Sequence, residues 1–390
     1  MSDPLRHSPL VAYLRVHGFL KTGGTSIVLA RTTGMCKGVR RALAMVERAR
    51  ASLPRGRRLA LLHPIIHNPT VGRWLQEGGV HTLDTAHDRW WMALSPTDTV
   101  VVPAFGATVS EEEALRAAGV RIIDTTCPSV RGVWARVSAY AKDGFTTVLH
   151  GRSDHPETRA TLSRATAAGG HYLVVRDREN AQRLAAVIAL DPEADYTAVL
   201  VNSTLSPGFD PARDVGHIGL VNQTTMLAEE SMEIAALLRD AFVRRHGPQD
   251  LESRFRTFGT ICRATQERQN AIEQLTGGPL DVLFVVGGHA SSNTRNLAEL
   301  GARRVPTFHV EGAASVDRLE RIRHQPPATR EVTTEDVSWL AHRSPRVVGF
   351  AGGASTPDAE VGETMVRLLV LLKEPLPPVA EEERVLAATA

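Results

Sequence analysis

Short runs of β-branched and apolar residues alternate with segments of helical periodicity along most of this chain, and few architectures accommodate that order. The clearest apolar runs cover residues 26–30, 97–103, 120–124, 146–150, 281–286 and 346–350. Strands of this length that are separated by amphipathic helices pack as parallel sheets covered by helices. The sequence therefore predicts an α/β fold.

Four segments depart from the alternation. Residues 190–214 and 324–344, in which prolines interrupt polar sequence, predict long connections. Residues 1–25 have no continuous apolar stretch of the kind found in a secretory signal, and they predict a mobile or lightly packed N-terminal extension. The polar, Pro-rich residues 375–390 predict a poorly ordered C-terminal tail.

The amino-acid composition limits which kinds of partner and which cellular compartment we expect for this protein. The 390 residues include 45 basic and 43 acidic side chains and no dense basic block, so we expect no nucleic-acid partner. No apolar run approaches the roughly 18 residues that cross a bilayer, so we expect a soluble protein without a membrane partner. The three cysteines form no CxxC pair, which favours a reducing, cytoplasmic compartment over a disulfide framework.

Each cysteine lies where a strand or turn leads into an amphipathic helix: Cys36 in TTGMCKGVRRALAMV, Cys127 in TTCPSVRGVWARVSAYA and Cys262 in TICRATQERQNAIEQL. The N–H groups and dipole of a helix N-terminus favour a thiolate, the form that binds metals. One such cysteine is often only a buried structural residue, but three in the same position favour a shared centre. Structural zinc sites use four closely spaced ligands, so three distant thiolates favour an iron–sulfur cluster with one iron open to substrate.

Small polar clusters follow several predicted strands, at residues 151–158, 221–225, 287–293 and 352–357. One such cluster is usually ordinary helix capping, but helix N-termini of this kind also bind diphosphate. Four of them in a chain with three helix-leading thiols favour a diphosphate-bearing substrate. His67 and His155 could donate hydrogen bonds to its oxygens and Glu157 could carry protons, although a lone histidine more often has a structural role.

The segments that contain these residues occur in the order known from one family: GMCKGVRRAL, IIHNPTV, VVPAFGATVSE, IIDTTCPSV, HPET, NQTTMLAEE, ICRATQERQ, SSNTRNLAEL and GGASTPD. From about residue 27 to residue 372 the chain resembles the LytB (IspH) family of 4-hydroxy-3-methylbut-2-enyl diphosphate reductases. Its PAFGA segment and the insertion ending near SPGFDPARDVGHIGLVNQTTM are similar to the longer plant and cyanobacterial branch. In that branch Phe105 stands where other members have a phosphate-binding histidine.

The resemblance implies three α/β domains, at residues 26–126, 127–256 and 257–374, in a trefoil arrangement around a central 4Fe-4S iron–sulfur cluster. It implies reduction of the hydroxymethylbutenyl diphosphate to isopentenyl and dimethylallyl diphosphate, the last step of the methylerythritol phosphate route, with ferredoxin or flavodoxin as electron donor. The implied roles are cluster ligation by Cys36, Cys127 and Cys262, diphosphate binding by His67, His155, Ser291, Ser292, Asn293 and Ser355, contact with the substrate hydroxyl by Thr224, and proton relay by Glu157.

Several positions beside these segments depart from the family pattern, namely Met35, Lys37, His63, Pro64, Arg263, His289 and Ala290. Lys37 and Arg263, next to cluster ligands, are expected to raise the cluster potential because positive charge favours the reduced form. Two alternatives stay open: a related reductase of another allylic or aromatic diphosphate, and a non-catalytic cluster protein that senses iron or oxygen. The second alternative needs neither Glu157 nor the anion-binding clusters.

Overall fold

The computed structural model describes residues 3–190, 204–329 and 331–389. Its helices are α1 (Pro9–His17), α2 (Lys37–Ala51), α3 (Pro69–Glu77), α4 (Val109–Ala117), α5 (Pro128–Lys142), α6 (Pro156–Ala167), α7 (Arg178–Ile188), α8 (Pro211–Asp214), α9 (Ala228–His246), α10 (Leu251–Arg254), α11 (Arg263–Thr276), α12 (Ser292–Ala302), α13 (Asp358–Leu371) and α14 (Pro378–Thr389). Its strands are β1 (Phe19–Thr22), β2 (Thr25–Leu29), β3 (Leu59–Leu61), β4 (His81–Thr82), β5 (Thr99–Val102), β6 (Arg121–Asp124), β7 (Thr146–His150), β8 (Tyr172–Val175), β9 (Ile218–Asn222), β10 (Phe255–Thr257), β11 (Val282–Val286), β12 (Thr307–Val310), β13 (Val316–Arg318), β14 (Arg321–His324), β15 (Thr333–Glu335) and β16 (Arg346–Gly352).

The predicted strands are found in the structure. β2, β5, β6, β7, β11 and β16 each overlap one of the apolar runs. Every residue of β7 and of β11 is buried, which is typical of parallel strands covered by helices on both faces and explains why these runs do not alternate with polar residues. The prediction of an α/β fold with parallel sheets is confirmed.

The chain divides into two compact units, and the first comprises Met1–Leu43, Pro64–His81 and Arg263–Ala390. Its main sheet has the order β1-β2-β16-β11-β12, in which β1 and β2 are antiparallel and the other pairs are parallel. Phe284 stacks on Phe350 and on Phe308, with ring centroids 5.4 and 5.5 Å apart, at the centre of this core. β13, β14 and β15 form a small antiparallel sheet.

The second unit comprises Ala44–His63 and Thr82–Cys262. One of its sheets has the order β10-β9-β7-β8 and is parallel throughout, and the other has the order β4-β3-β5-β6, in which β3, β5 and β6 are parallel. α7 and α9 cover the first of these sheets with a core that includes Leu184, Leu238 and Phe242. The division into three domains stays a prediction; β2, placed there in the first domain, pairs with β16 from the third.

Both terminal segments are folded, so two of the predictions are wrong. α1 buries Leu10, Val11 and Leu14 in the core of the first unit, which corrects the expectation of a mobile or lightly packed extension. In the expected disordered tail, α14 buries Ala380 in the same core and Glu383 against Ser8, whose hydroxyl donates to the carboxylate at 2.5 Å. The tail looks disordered in sequence because its partners lie at the other end of the chain.

The predicted connections have structure as well. Of residues 190–214, positions 191–203 lie outside the described residues, and the remainder includes α8. Residues 324–344 contain β15, which pairs antiparallel with β14, and a 3-10 turn at Ser338–His342, so a plain connection is the wrong description. Among the described residues, no helix is both long enough and apolar enough to cross a bilayer.

Candidate active site

All of the candidate residues follow the carboxyl ends of strands. They are Cys36 after β2, His67 after β3, Cys127 after β6, His155 and Glu157 after β7, Thr224 after β9, Cys262 after β10, Ser291, Ser292 and Asn293 after β11, and Ser355 after β16. In open parallel sheets ligands bind at this edge, where the next helices begin. The hydrogen bonds sort these residues into two groups, one in each unit.

In the first unit, the N-terminus of α12 presents hydrogen-bond donors. Ser291 is the N-cap, and its hydroxyl accepts from the Thr294 N–H at 3.3 Å. Asn293 accepts from the Ala354 N–H through Oδ1 at 2.8 Å, which turns its amide Nδ2 away as a donor. Asn293 Nδ2 and the buried Ser292 hydroxyl have no hydrogen-bond partner among the described residues. Buried donors left over at a helix N-terminus are what a bound anion would satisfy.

Ser355 and His67 lie beside this helix N-terminus. The Ser355 hydroxyl is 3.5 Å from that of Ser291, and it donates to the His67 carbonyl at 3.4 Å. A Cβ at Gly288 would lie 2.5 Å from the same His67 carbonyl oxygen, so only glycine lets the two turns approach. The fold thus brings His67, Ser291 and Ser355 together.

Cys36 is tied to the same group. Its N–H donates to the Ala354 carbonyl at 3.0 Å, while the Ala354 N–H donates to Asn293, so a single residue, Ala354, joins the thiol segment to the anion-binding helix. The Val39 N–H donates to Cys36 Sγ at 3.4 Å, as expected for a sulfur at a helix N-terminus. Gly34, just before, has φ +79°, and a Cβ there would lie 2.2 Å from an Asp358 carboxylate oxygen.

In the second unit, Glu157 and Thr224 form a buried pair. The Glu157 carboxylate accepts from the Thr224 N–H at 2.6 Å and from the Thr224 hydroxyl at 2.9 Å. Burial raises the pKa of Glu157 to about 7, although both hydrogen bonds oppose the rise. Both the acid and the carboxylate are therefore populated near neutral pH.

His155 is the N-cap of α6, and its side chain is hydrogen-bonded to the backbone of Glu157. Its Nδ1 accepts from the Glu157 N–H at 3.2 Å, so a neutral His155 carries its proton on Nε2 as a donor. The Phe105 ring packs edge-on against His155 with centroids 6.4 Å apart. Phe105 therefore buries one side of the imidazole.

Cys127 and Cys262 adjoin these residues. The Cys262 N–H donates to the Thr224 carbonyl at 3.2 Å, and the Cys127 N–H donates to the carbonyl of Ala104, the neighbour of Phe105, at 2.8 Å. Cys36, Cys127 and Cys262 each come directly before the first residue of a helix, which confirms the predicted position, and none forms a disulfide. Within the described residues no cluster of His, Cys, Asp and Glu is arranged to hold a single metal ion.

Two of the unusual cations lie in solvent. The Arg263 side chain is 91% exposed and pairs with Glu267 at 2.7 Å, and Lys37 is also exposed. Water screens both charges, and the Glu267 carboxylate also offsets that of Arg263. The rise in cluster potential stays a prediction.

The sequence did not single out Asn68, Gln223 or Glu360. Asn68 is the N-cap of α3, and Asn followed by Pro at a helix start was a readable signal. The Gln223 side chain accepts from the Arg152 N–H at 3.1 Å and so joins two polar turns of the second unit. Glu360 contacts Asn68 although the two residues are far apart in the chain, and no local sequence pattern predicts this contact.

The fold and these groups define an α/β protein of parallel sheets whose polar and thiol side chains gather at strand ends and helix N-termini. The chain belongs to the LytB family, whose model, described as LytB protein, matches residues 27–369. The resemblance in the sequence motifs is confirmed.

Two similar relatives are cyanobacterial, in agreement with the predicted likeness to that branch. A 4-hydroxy-3-methylbut-2-enyl diphosphate reductase of a Synechococcus species is 39% identical over 367 residues, which cover 93% of this chain and 90% of the relative. The reductase of Microcystis aeruginosa is 37% identical over 373 residues, which cover 95% and 91%.

Two solved structures share the fold. One, of (E)-4-hydroxy-3-methyl-but-2-enyl diphosphate reductase, the terminal enzyme of the non-mevalonate pathway, has a TM-score of 0.53 and 27% identity and covers 89% of this chain and 100% of that one. The reductase structure from Plasmodium falciparum has a TM-score of 0.66 over 91% and 89%, and at 22% identity it supports the fold alone.

Proposed function

We propose that this chain reduces 4-hydroxy-3-methylbut-2-enyl diphosphate to isopentenyl and dimethylallyl diphosphate, the last step of the methylerythritol phosphate route. The allylic C–O bond breaks and a C–H bond forms: two electrons enter, one proton leaves with the hydroxyl as water, and a second proton is added to the allylic carbon skeleton. The observation that carries the proposal is the buried Glu157 carboxyl, bonded to Thr224 beside the Cys262 segment. Loss of the hydroxyl as water requires a proton donor, and in the proposal the buried acid Glu157 is that donor.

The donors at strand ends support binding of a diphosphate. Ser292 and Asn293 supply buried donors at the N-terminus of α12, and Ser291, Ser355 and His67 lie beside them. In the proposal His155 adds a further donor through Nε2, and Thr224 contacts the substrate hydroxyl. Glu157 gives a proton to the leaving hydroxyl and regains it from water.

The donor set fits an iron–sulfur cluster, and we propose that Cys36, Cys127 and Cys262 ligate one 4Fe-4S cluster. All three are half-buried, outside disulfides and placed directly before helices. When bound, the cluster supplies single electrons and, at the iron without a cysteine, a Lewis acid for the substrate hydroxyl. The proposal includes the finer arrangement that the family implies: three domains in a trefoil, ferredoxin or flavodoxin as donor, and the cytoplasm as location.

Anaerobic purification followed by turnover with the hydroxymethylbutenyl diphosphate and a reduced dye tests the proposal. We expect both C5 diphosphates as products. Turnover of another allylic or aromatic diphosphate in place of this one would favour the related reductase. A cluster-containing protein that turns over none of these diphosphates would favour the sensor.

A further inference from the structure

Glu360 is a buried carboxyl group that the proposed chemistry does not use. It lies in the first turn of α13, three residues after Pro357, and is 6% exposed. Its Oε2 accepts from Asn68 Nδ2 at 2.9 Å, and the Thr70 hydroxyl also favours the carboxylate. Both contacting residues belong to the first unit.

Asn68 connects this carboxyl to the anion-binding turn. Its Oδ1 accepts from the Val71 N–H at 2.9 Å and caps α3, so only its Nδ2 remains to reach Glu360. The residue before it is His67, whose carbonyl accepts from the Ser355 hydroxyl. Ser355 comes just before α13, so the turn that leads into this helix contacts His67 while the first helical turn contacts Asn68 through Glu360.

The groups that face Glu360 bring its pKa close to neutral pH. Burial raises the pKa of Glu360 to about 7; hydrogen bonds from Thr70 and Asn68 and the more distant charge of Arg73 oppose the rise, and Glu363 adds to it. A dianion or trianion bound beside His67 and Ser355 would repel a carboxylate at this place. The neutral acid would meet no such repulsion.

We propose that Glu360 is a positioning residue, which fixes the Asn68 and His67 turn for diphosphate binding and takes up one proton from solvent when the diphosphate binds. The inference rests on the proposed function, since it deepens the diphosphate site. Because the bound state holds more protons, the affinity for diphosphate falls as the pH rises through 7.

Titration calorimetry with inorganic diphosphate, on protein purified anaerobically, tests this in two buffers of different ionisation enthalpy. Proton changes of the ligand and of the rest of the site are common to wild type and Glu360→Gln, so we expect wild type to take up about half a proton more than this variant at pH 7, by linkage. In Glu360→Gln the amide oxygen still accepts from Asn68, so we expect no such uptake and, at pH 8, binding about three- to tenfold tighter than wild type. Glu360→Leu leaves the Asn68 amide unsatisfied and should weaken binding about tenfold at pH 6.

Glu382→Gln is the control, because Glu382 is an exposed carboxylate of the same unit, and we expect wild-type binding and proton uptake. Equal proton uptake by wild type and Glu360→Gln would overturn the inference even if Glu360→Leu fails to fold, whereas the proposed function would stand. Wild type that binds no diphosphate would overturn the diphosphate site itself, and the inference with it.

Discussion

Glu157 differs from most carboxyl groups of the chain because it is buried and has a raised pKa. Two donors from Thr224 favour its carboxylate, yet burial outweighs them and brings its pKa to about 7. General acids act best when their pKa lies near the working pH. Glu157 can therefore both give and regain a proton within one turnover.

Replacing Glu157 by Gln tests this role directly. The amide still accepts a hydrogen bond but cannot deliver a proton, so we expect turnover to fall about 10²- to 10⁴-fold while substrate affinity changes little. Steady-state kinetics and titration of the substrate separate the two quantities. Glu230→Gln, at a partly exposed carboxylate in the same unit, should keep full turnover. A loss of affinity at unaltered turnover would assign Glu157 to binding.

The Thr224 hydroxyl sets the pH range of this acid. Its donation to Glu157 favours the carboxylate, so Thr224→Val should raise the pKa of Glu157 further above 7. Activity that needs the protonated acid is lost as the pH rises through that pKa. The basic limb of the kcat/KM profile should then move to higher pH in Thr224→Val, whatever the loss in rate, and stay in place in Thr224→Ser. An unmoved limb in Thr224→Val would contradict the assignment.

His155 combines an N-cap with a proposed phosphate donor, and two substitutions separate these roles. His155→Ala loses both: about 1 kcal/mol of stability and a charge-assisted hydrogen bond worth about 1.5 to 3 kcal/mol, which is roughly ten- to hundredfold in the dissociation constant for diphosphate. His155→Asn keeps a capping oxygen for the Glu157 N–H and should melt like wild type while binding as weakly as His155→Ala. Unchanged diphosphate affinity in both variants would leave His155 a capping role only.

At the scale of elements, the last helix, α14, is held in place by contacts with α1 and the residues just before it. Arg6 and Glu383 form an ion pair of 2.9 Å in which the carboxylate is fully buried, and the Ser8 hydroxyl and Leu10 N–H also donate to Glu383. Removing the carboxylate leaves the Ser8 hydroxyl and the Leu10 N–H without this acceptor, at about 1 to 3 kcal/mol for each buried donor and about 3 kcal/mol in all, while Arg6 keeps its pair with Glu363. Glu383→Ala should lower the free energy of unfolding by about this amount in urea. Glu382→Ala, at an exposed position of the same helix, should change it by less than about 0.5 kcal/mol, and equal effects would contradict the argument.

How much of the structure the sequence predicts depends on how far apart in the chain the interacting residues lie. The strands and the helix starts after Cys36, Cys127 and Cys262 depend on local periodicity and capping, and the structure has them where expected. The order of α14 and the contact between Asn68 and Glu360 depend on partners hundreds of residues away, for which a single sequence has no signal. Grouping of Ser291 with Ser355 was predictable because parallel strands bring their carboxyl ends to one edge.

For the molecule as a whole, the three cysteines predict an iron and sulfide content per chain that can be measured. A 4Fe-4S cluster normally takes four cysteines, and this chain has three, so one iron should differ from the rest. We expect anaerobically purified protein to contain four irons and four sulfides per chain, with one distinct iron in its Mössbauer spectrum. Replacement of any one cysteine by Ser should lower the iron content sharply, since each variant leaves two thiolates. Met35→Leu, beside Cys36 but without a ligand role, should keep full occupancy because Leu conserves volume. Stoichiometric zinc without sulfide, or a cysteine variant with undiminished iron, would refute the proposed ligand set.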